Sequence, residues 1–131
     1  MKITNRDLIT IYQCVNKILA SADAKKEVPG SGKIVYGLTK MSNKMKPMIQ
    51  QLAQEEQDYR KTMEDAKKEA ESKGEPITDI LRSFIQDQEE MLETLQELEL
   101  FKIDIESTHI IQKYLDNEEH TKVLYNLLTT E

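Results

Sequence analysis

The chain has 131 residues, a net charge of −6 and one cysteine, which suits one domain with a single hydrophobic core and excludes an intrachain disulfide. Charged residues reach 32% against 38% hydrophobic residues, a balance that favours amphipathic helices with wide solvated faces. The negative net charge argues against direct nucleic-acid binding, because proteins that bind nucleic acids are usually basic. No apolar run approaches the about 20 residues that span a bilayer, and the first residues lack a signal-peptide pattern, so we expect a cytoplasmic protein that enters no membrane.

The first predicted helix covers residues 5–22. Thr4 stands three residues before Asp7, as in a capping box, and apolar side chains then recur at helical spacing. Pro29 and Gly30 end this region, because these residue types interrupt both helices and strands.

A second helical region covers residues 33–72 and is too long for a compact domain of this size. An unbroken helix of about 40 residues would be roughly 60 Å long, so the sequence predicts either a break or a protruding hairpin. Pro47 marks the expected position, either as a kink or in the first turn of a new helix. The apolar positions of this region include Met41, Met45 and Met48, which predict either ordinary core or a seam for homo-oligomer formation.

The third predicted helix covers residues 77–97. Its apolar residues recur at helical spacing, so they are expected on one buried side of the helix. They are Ile77, Leu81, Phe84, Ile85, Leu92, Leu95 and Leu98.

Near residues 98–105 the apolar residues change to a period of two, which is typical of a short strand. Such a strand needs a partner, either near residues 34–36 or in another subunit. A last helix is predicted at residues 117–129. The sequence therefore predicts a single, mainly α domain over residues 1–131, a helical bundle or long helical hairpin with at most one short strand.

The net charge conceals a division along the chain. Residues 1–54 hold nine basic and three acidic residues, whereas residues 55–131 hold nine basic and twenty-one acidic ones. Eight of these carboxylates fall between residues 87 and 106, where Lys102 is the single basic residue. A dense acidic helix can imitate a phosphate backbone in a basic groove, although an ordinary soluble surface has the same pattern. The residues predicted for an acidic partner-binding surface are Asp87, Glu90, Glu93 and Glu97.

Three lysines of the basic part share one line of the second helical region. Lys33, Lys40 and Lys44 have this alignment because their spacing matches whole helical turns, and Tyr36 stands at the edge of the line. We predict that these four residues bind an anion, either a nucleotide, a phosphate backbone or an acidic protein face. The alternatives are a solvated face or neutralisation by the acidic third helix.

Catalytic and metal-binding patterns are absent from the sequence. Glu106 and His109 have the Glu-x-x-His spacing of helical di-metal sites, but such a site also needs inward carboxylates from other helices. The apolar stripes of the first two helical regions provide none. Cys14 flanks an apolar stripe with no histidine nearby and is expected to be a small buried thiol. We therefore predict a protein that is not an enzyme and holds neither metal nor cofactor.

Three segments carry a family resemblance. They are MKITN at residues 1–5, KIVYGLTK at residues 33–40 leading into Pro47, and the acidic stretch at residues 97–105 before a Leu-rich closing helix. In these features the chain resembles a family of short, uncharacterised proteins from phages of lactococci and related Gram-positive bacteria. The resemblance implies a viral origin and action in the bacterial cytoplasm or during virion production, and it supplies no active site.

Three functions follow from these observations. The divided charge without catalytic groups favours a phage accessory protein that binds a host or phage protein and antagonises a host defence. The second is a chaperone or minor structural component in virion assembly. The third is a sponge for a small anionic nucleotide signal, held by Lys33, Tyr36, Lys40 and Lys44.

Overall fold

The computed structural model describes residues 1–130 and is mainly α-helical, as the sequence predicts. None of the helices in this range combines the length and the apolar character needed to cross a membrane. The elements in chain order are β1 (Lys2–Thr4), α1 (Asn5–Ala20), α2 (Ala22–Glu27), α3 (Ser31–Ser72), α4 (Thr78–Glu93), β2 (Leu95–Glu97), α5 (Ile105–Gln112) and α6 (Glu118–Leu127).

Helix α1 begins as the sequence predicts and ends two residues earlier than predicted. The Thr4 hydroxyl accepts a hydrogen bond from the Asp7 backbone N–H at 3.1 Å, which caps the start of α1. The backbone of Ser21 is extended, and its hydroxyl accepts from the Ala24 N–H at 3.2 Å. Residues 21–22 therefore leave the predicted helix, because Ser21 caps the separate helix α2.

The hydrophobic core lies where α1 packs against α6 and the first half of α3. Met41 and Met45 of α3 are buried in this core, and Met48 is partly buried against it. The structure thus shows the ordinary-core alternative for the three methionines. The predicted Met41-Met45-Met48 seam between copies is wrong, because these side chains already fill the core of their own chain.

Helix α3 passes through Pro47 as one continuous element of 42 residues. The prediction that Pro47 breaks this region or begins a new helix is therefore wrong. Proline removes the hydrogen bond to the carbonyl four residues earlier, that of Asn43. Asn43 and Pro47 are both exposed, so water can satisfy that carbonyl. Buried Met45 and Leu52 hold the helix on its other side.

The second half of α3 and α4 form the protruding hairpin that was the alternative to a break. We call residues 53–93 the hairpin arm. Gly74 adopts a left-handed conformation (φ 70°) just after α3, and the Glu75 N–H returns to the Ala70 carbonyl at 2.8 Å. Ala70 and Met91 are the buried residues of the arm. The two helices of the arm therefore shield each other along most of their length without a further layer around them.

The sheet lies earlier in the chain than predicted and has a different partner. β2 occupies Leu95–Glu97, inside the predicted third helix, and pairs antiparallel with β1 in the register Ile3↔Gln96. Residues 34–36, one predicted partner, lie in α3. The segment 98–105 contributes one isolated bridge, Ile103 to Thr129. This bridge takes Thr129 out of the predicted last helix, so α6 ends at Leu127.

Candidate binding surfaces

The predicted anion-binding residues line one groove between α3 and residues 99–102, with a volume of about 510 Å³. Tyr36 is 66% exposed, and the Lys40 Nζ lies 5.6 Å from the centroid of its ring, in the range of a cation–π contact. The complete lining is Lys33, Tyr36, Gly37, Lys40, Met41, Lys44, Glu99, Leu100, Phe101 and Lys102. The structure therefore brings all four predicted residues together and adds a second wall.

The second wall approaches α3 closely because Gly37 has no side chain. A Cβ atom at Gly37 would lie 2.2 Å from Cε2 of Phe101, far inside contact distance. The Phe101 backbone N–H also points at the sulfur of Met41, 3.5 Å away. Sequence reasoning missed Phe101, and the one local sign was a glycine within a helix, which costs about 1 kcal/mol relative to alanine.

The groove keeps its positive charge. Among residues 1–130, Lys33, Lys40 and Lys44 make no ion pair with a carboxylate. The predicted neutralisation by the acidic third helix is therefore wrong. Glu99 is the one carboxylate of the lining, and the ammonium of Lys102 on the same wall donates to the Leu127 carbonyl. Three lysines on one helix face thus remain open to an anion.

The four predicted acidic residues are all exposed at the surface. Glu93 pairs with Arg6 at 3.3 Å, and Glu97 pairs with the amino group of Met1 at the same distance. Asp87 and Glu90 line a cleft of about 380 Å³ between the arm and the start of α1. Two of the four therefore have partners within the chain, but exposed pairs contribute little to stability and can exchange for others.

Apolar side chains stand open along the hairpin arm. Leu81 is 36% exposed and Ile85 54%, although the sequence predicts both on a buried side. Leu95, predicted with them, is 56% exposed in β2. These predictions are wrong because α4 packs mainly against α3, while α1 contacts α4 near its end, at Met91 and Glu93. Leu81 and Ile85 therefore stay partly exposed.

The opposite side of the arm carries an apolar groove of about 570 Å³. Its lining includes Tyr59 and Met63 of α3 together with Ile80 and Phe84 of α4. The Arg60 guanidinium lies 5.3 Å from the Phe84 ring centroid, and Phe84 remains half-buried. The arm therefore presents incompletely covered apolar surface on both of its sides.

The groups that could carry chemistry are isolated. Cys14 is fully buried and its thiol points at the His120 carbonyl, 3.6 Å away, while burial raises the thiol pKa to about 12. A nucleophilic cysteine needs the opposite shift. His109 contacts the Tyr125 ring rather than a cluster of ligands, and no group of three or more His, Cys, Asp or Glu side chains is arranged for a metal ion in the part of the chain that the structure describes.

Comparison with models of known protein families, with curated proteins and with solved structures finds no match to this chain. The resemblance to phage proteins therefore stays a prediction from the sequence. What the protein does must be inferred from its own surfaces.

Proposed function

We propose that the protein works without catalysis, by docking its hairpin arm on another protein. The observation that carries this proposal is the exposure of Leu81 and Ile85, one turn apart on α4. Complete burial of one such side chain contributes about 1.5–3 kcal/mol. Because Leu81 is 36% and Ile85 54% exposed, part of this contribution is unrealised at each position. Apolar surface in a projecting element is a common mark of a protein-binding site.

The charge around the arm defines the chemistry of the partner. Helix α4 carries Asp87, Glu89, Glu90 and Glu93, all exposed, against Arg82 as its one basic residue. A matching surface has an apolar groove edged by lysine and arginine, because opposite potentials speed association and select the partner. Such a groove is typical of proteins that bind nucleic acids, whose phosphates the carboxylates of the arm would imitate.

Within the phage family that the sequence resembles, this docking would serve an accessory role, with a host defence protein in the bacterial cytoplasm as the target. Virion assembly is the second candidate. The feature that favours it is the length of α3, roughly 60 Å for its 42 residues, since a long rod with an uncovered arm can bridge components of a particle.

Capture experiments test the docking surface. The double variant Leu81→Glu/Ile85→Glu places charge on the exposed apolar residues, and Ala53→Glu/Gln57→Glu is its control with the same spacing on an exposed face of α3. We expect wild type and control to retain one stoichiometric protein from infected cells, and we expect the double variant to bind the purified partner at least tenfold more weakly. Double-stranded DNA should compete with the arm.

Three outcomes would contradict the proposal: no stoichiometric partner, equal binding by the double variant, or no competition from DNA. Mass spectrometry of purified phage particles separates the two roles. A protein that assembles virions should be present in the particles or limit their yield, whereas an antagonist of host defence should be absent and leave the yield unchanged in a host that lacks the defence.

A further inference from the structure

The groove between α3 and residues 99–102 pairs unneutralised positive charge with an accessible aromatic ring. Lys33, Lys40 and Lys44 line up along one wall without carboxylate partners in the described range. Lys40 and Lys44 are four residues apart, a spacing at which like charges on a helix repel. An anion lying between the ammonium groups would relieve this repulsion.

Tyr36 extends the groove beyond a simple phosphate site. Its ring is 66% exposed and already has the Lys40 ammonium near it, 5.6 Å from the centroid. A planar heterocycle stacks well on such a ring, and cations beside it then reach the attached phosphates. The site therefore favours a ligand that carries an aromatic base and several negative charges together.

The groove depends on the contact between Gly37 and Phe101, and a glycine at this position lowers the stability of the helix. Gly37 lies within α3 between Tyr36 and Lys40, and its missing side chain is what admits the Phe101 ring. An alanine would stabilise the helix but displace the ring. Phe101 in this position forms part of the second wall of a groove of about 510 Å³, within the size range of small-molecule sites.

We infer that this groove binds a nucleotide, with its phosphates on Lys33, Lys40 and Lys44 and its base on Tyr36. Glu99 on the facing wall accepts hydrogen bonds from the hydroxyl groups of the ribose. A mononucleotide or short cyclic nucleotide fits better than a nucleic-acid strand. The protein carries a net charge of −6, so a long polyanion leaving the groove would meet repulsion.

Calorimetric titration with ATP, GTP and a cyclic dinucleotide tests the inference, with tripolyphosphate and adenosine as partial ligands. We expect at least one nucleotide to bind more tightly than both partial ligands and more weakly as salt concentration rises. Lys40→Glu should lower its affinity at least tenfold. Tyr36→Ala should lower the affinity for the nucleotide while leaving that for tripolyphosphate unchanged.

Lys61→Glu is the matched control, because it makes the same charge change at an exposed position of the hairpin arm. Nucleotide binding should survive both this variant and Leu81→Glu/Ile85→Glu, so the site is tested independently of the proposed docking. No binding of any of the three nucleotides at millimolar concentration would overturn the inference. So would equal affinity in Lys40→Glu, or tighter binding of a single-stranded oligonucleotide by the same lysines.

Discussion

The side-chain amide nitrogen of Asn5 donates to the backbone carbonyl oxygen of Met91 at 2.6 Å. The amide oxygen of Asn5 accepts from Gln96 Nε2, also at 2.6 Å, and its backbone N–H donates to the Thr94 carbonyl at 2.9 Å. Asn5 is 3% exposed, so water has little access to replace these bonds. One side chain thus joins the start of α1 to the end of α4 and to β2, and fixes the base of the hairpin arm.

Asn5→Ala should lower the free energy of unfolding by about 1–3 kcal/mol, because it removes the two hydrogen bonds of the buried Asn5 side chain. The Met91 carbonyl keeps only the Thr94 N–H at 3.3 Å, and the Gln96 amide loses its Asn5 partner. Urea denaturation measures the change. Asn43→Ala, at an exposed position of α3, is the control and should stay within about 0.5 kcal/mol of wild type. Equal stability of Asn5→Ala and wild type would show that the buried bonds contribute nothing net.

Gly37→Ala and Gly32→Ala should act in opposite directions although both lie in α3. A Cβ at Gly32 meets nothing within 4 Å, so this variant should gain up to about 1 kcal/mol of stability from helix propensity. At Gly37 the clash with Phe101 should outweigh that gain and lower the melting temperature. In a Phe101→Ala background the cost at position 37 should disappear, and a cost that persists there would place its origin elsewhere.

Pro47→Ala should raise the free energy of unfolding, by up to about 3 kcal/mol, because it restores the hydrogen bond to the Asn43 carbonyl inside α3. The greater freedom of the unfolded chain without proline reduces this gain. Urea denaturation and far-ultraviolet circular dichroism test it against Lys46→Ala, a neighbouring exposed position. A fall in stability would mean that the proline ring holds the helix by a contact of its own.

Asp104 should make the stability depend on pH in acid. Its carboxylate caps α5 by accepting from the backbone N–H of Ser107 at 2.9 Å and from its hydroxyl at 2.8 Å, and these bonds lower the pKa below 3.8. The unfolded chain therefore binds a proton at a higher pH than the folded chain does. The stabilisation that the Asp104 cap gives the folded chain is complete above the pKa of the unfolded chain, and it disappears as pH falls through the pKa of the folded chain.

Asp104→Asn keeps a capping oxygen but removes this titration. We expect its free energy of unfolding to fall less than that of wild type between about pH 5 and about pH 2. Asp65→Asn, an exposed residue of the hairpin arm, makes the same change in net charge and should follow wild type. Parallel curves for wild type and Asp104→Asn would contradict the assignment of the cap.

The sequence by itself determined the features that depend on neighbours within one helical turn. The Thr4 cap rests on a hydrogen bond that closes within three residues, and the interruption at residues 29–30 rests on the backbone preferences of Pro29 and Gly30 themselves. The alignment of Lys33, Lys40 and Lys44 follows in the same way from the helical repeat. Mainly α structure and one wall of the groove were predictable for this reason.

Only the tertiary structure decided how distant segments cover one another. The strand at Leu95–Glu97 exists because the N-terminal strand pairs with it from more than 90 residues away, and the facing wall of the groove exists because Phe101 meets Gly37. The periodicity of the sequence placed Leu81 and Ile85 on an apolar side of a helix. It did not determine how many helices would cover that side. In this fold one helix does, and the hairpin arm is left with apolar surface in water.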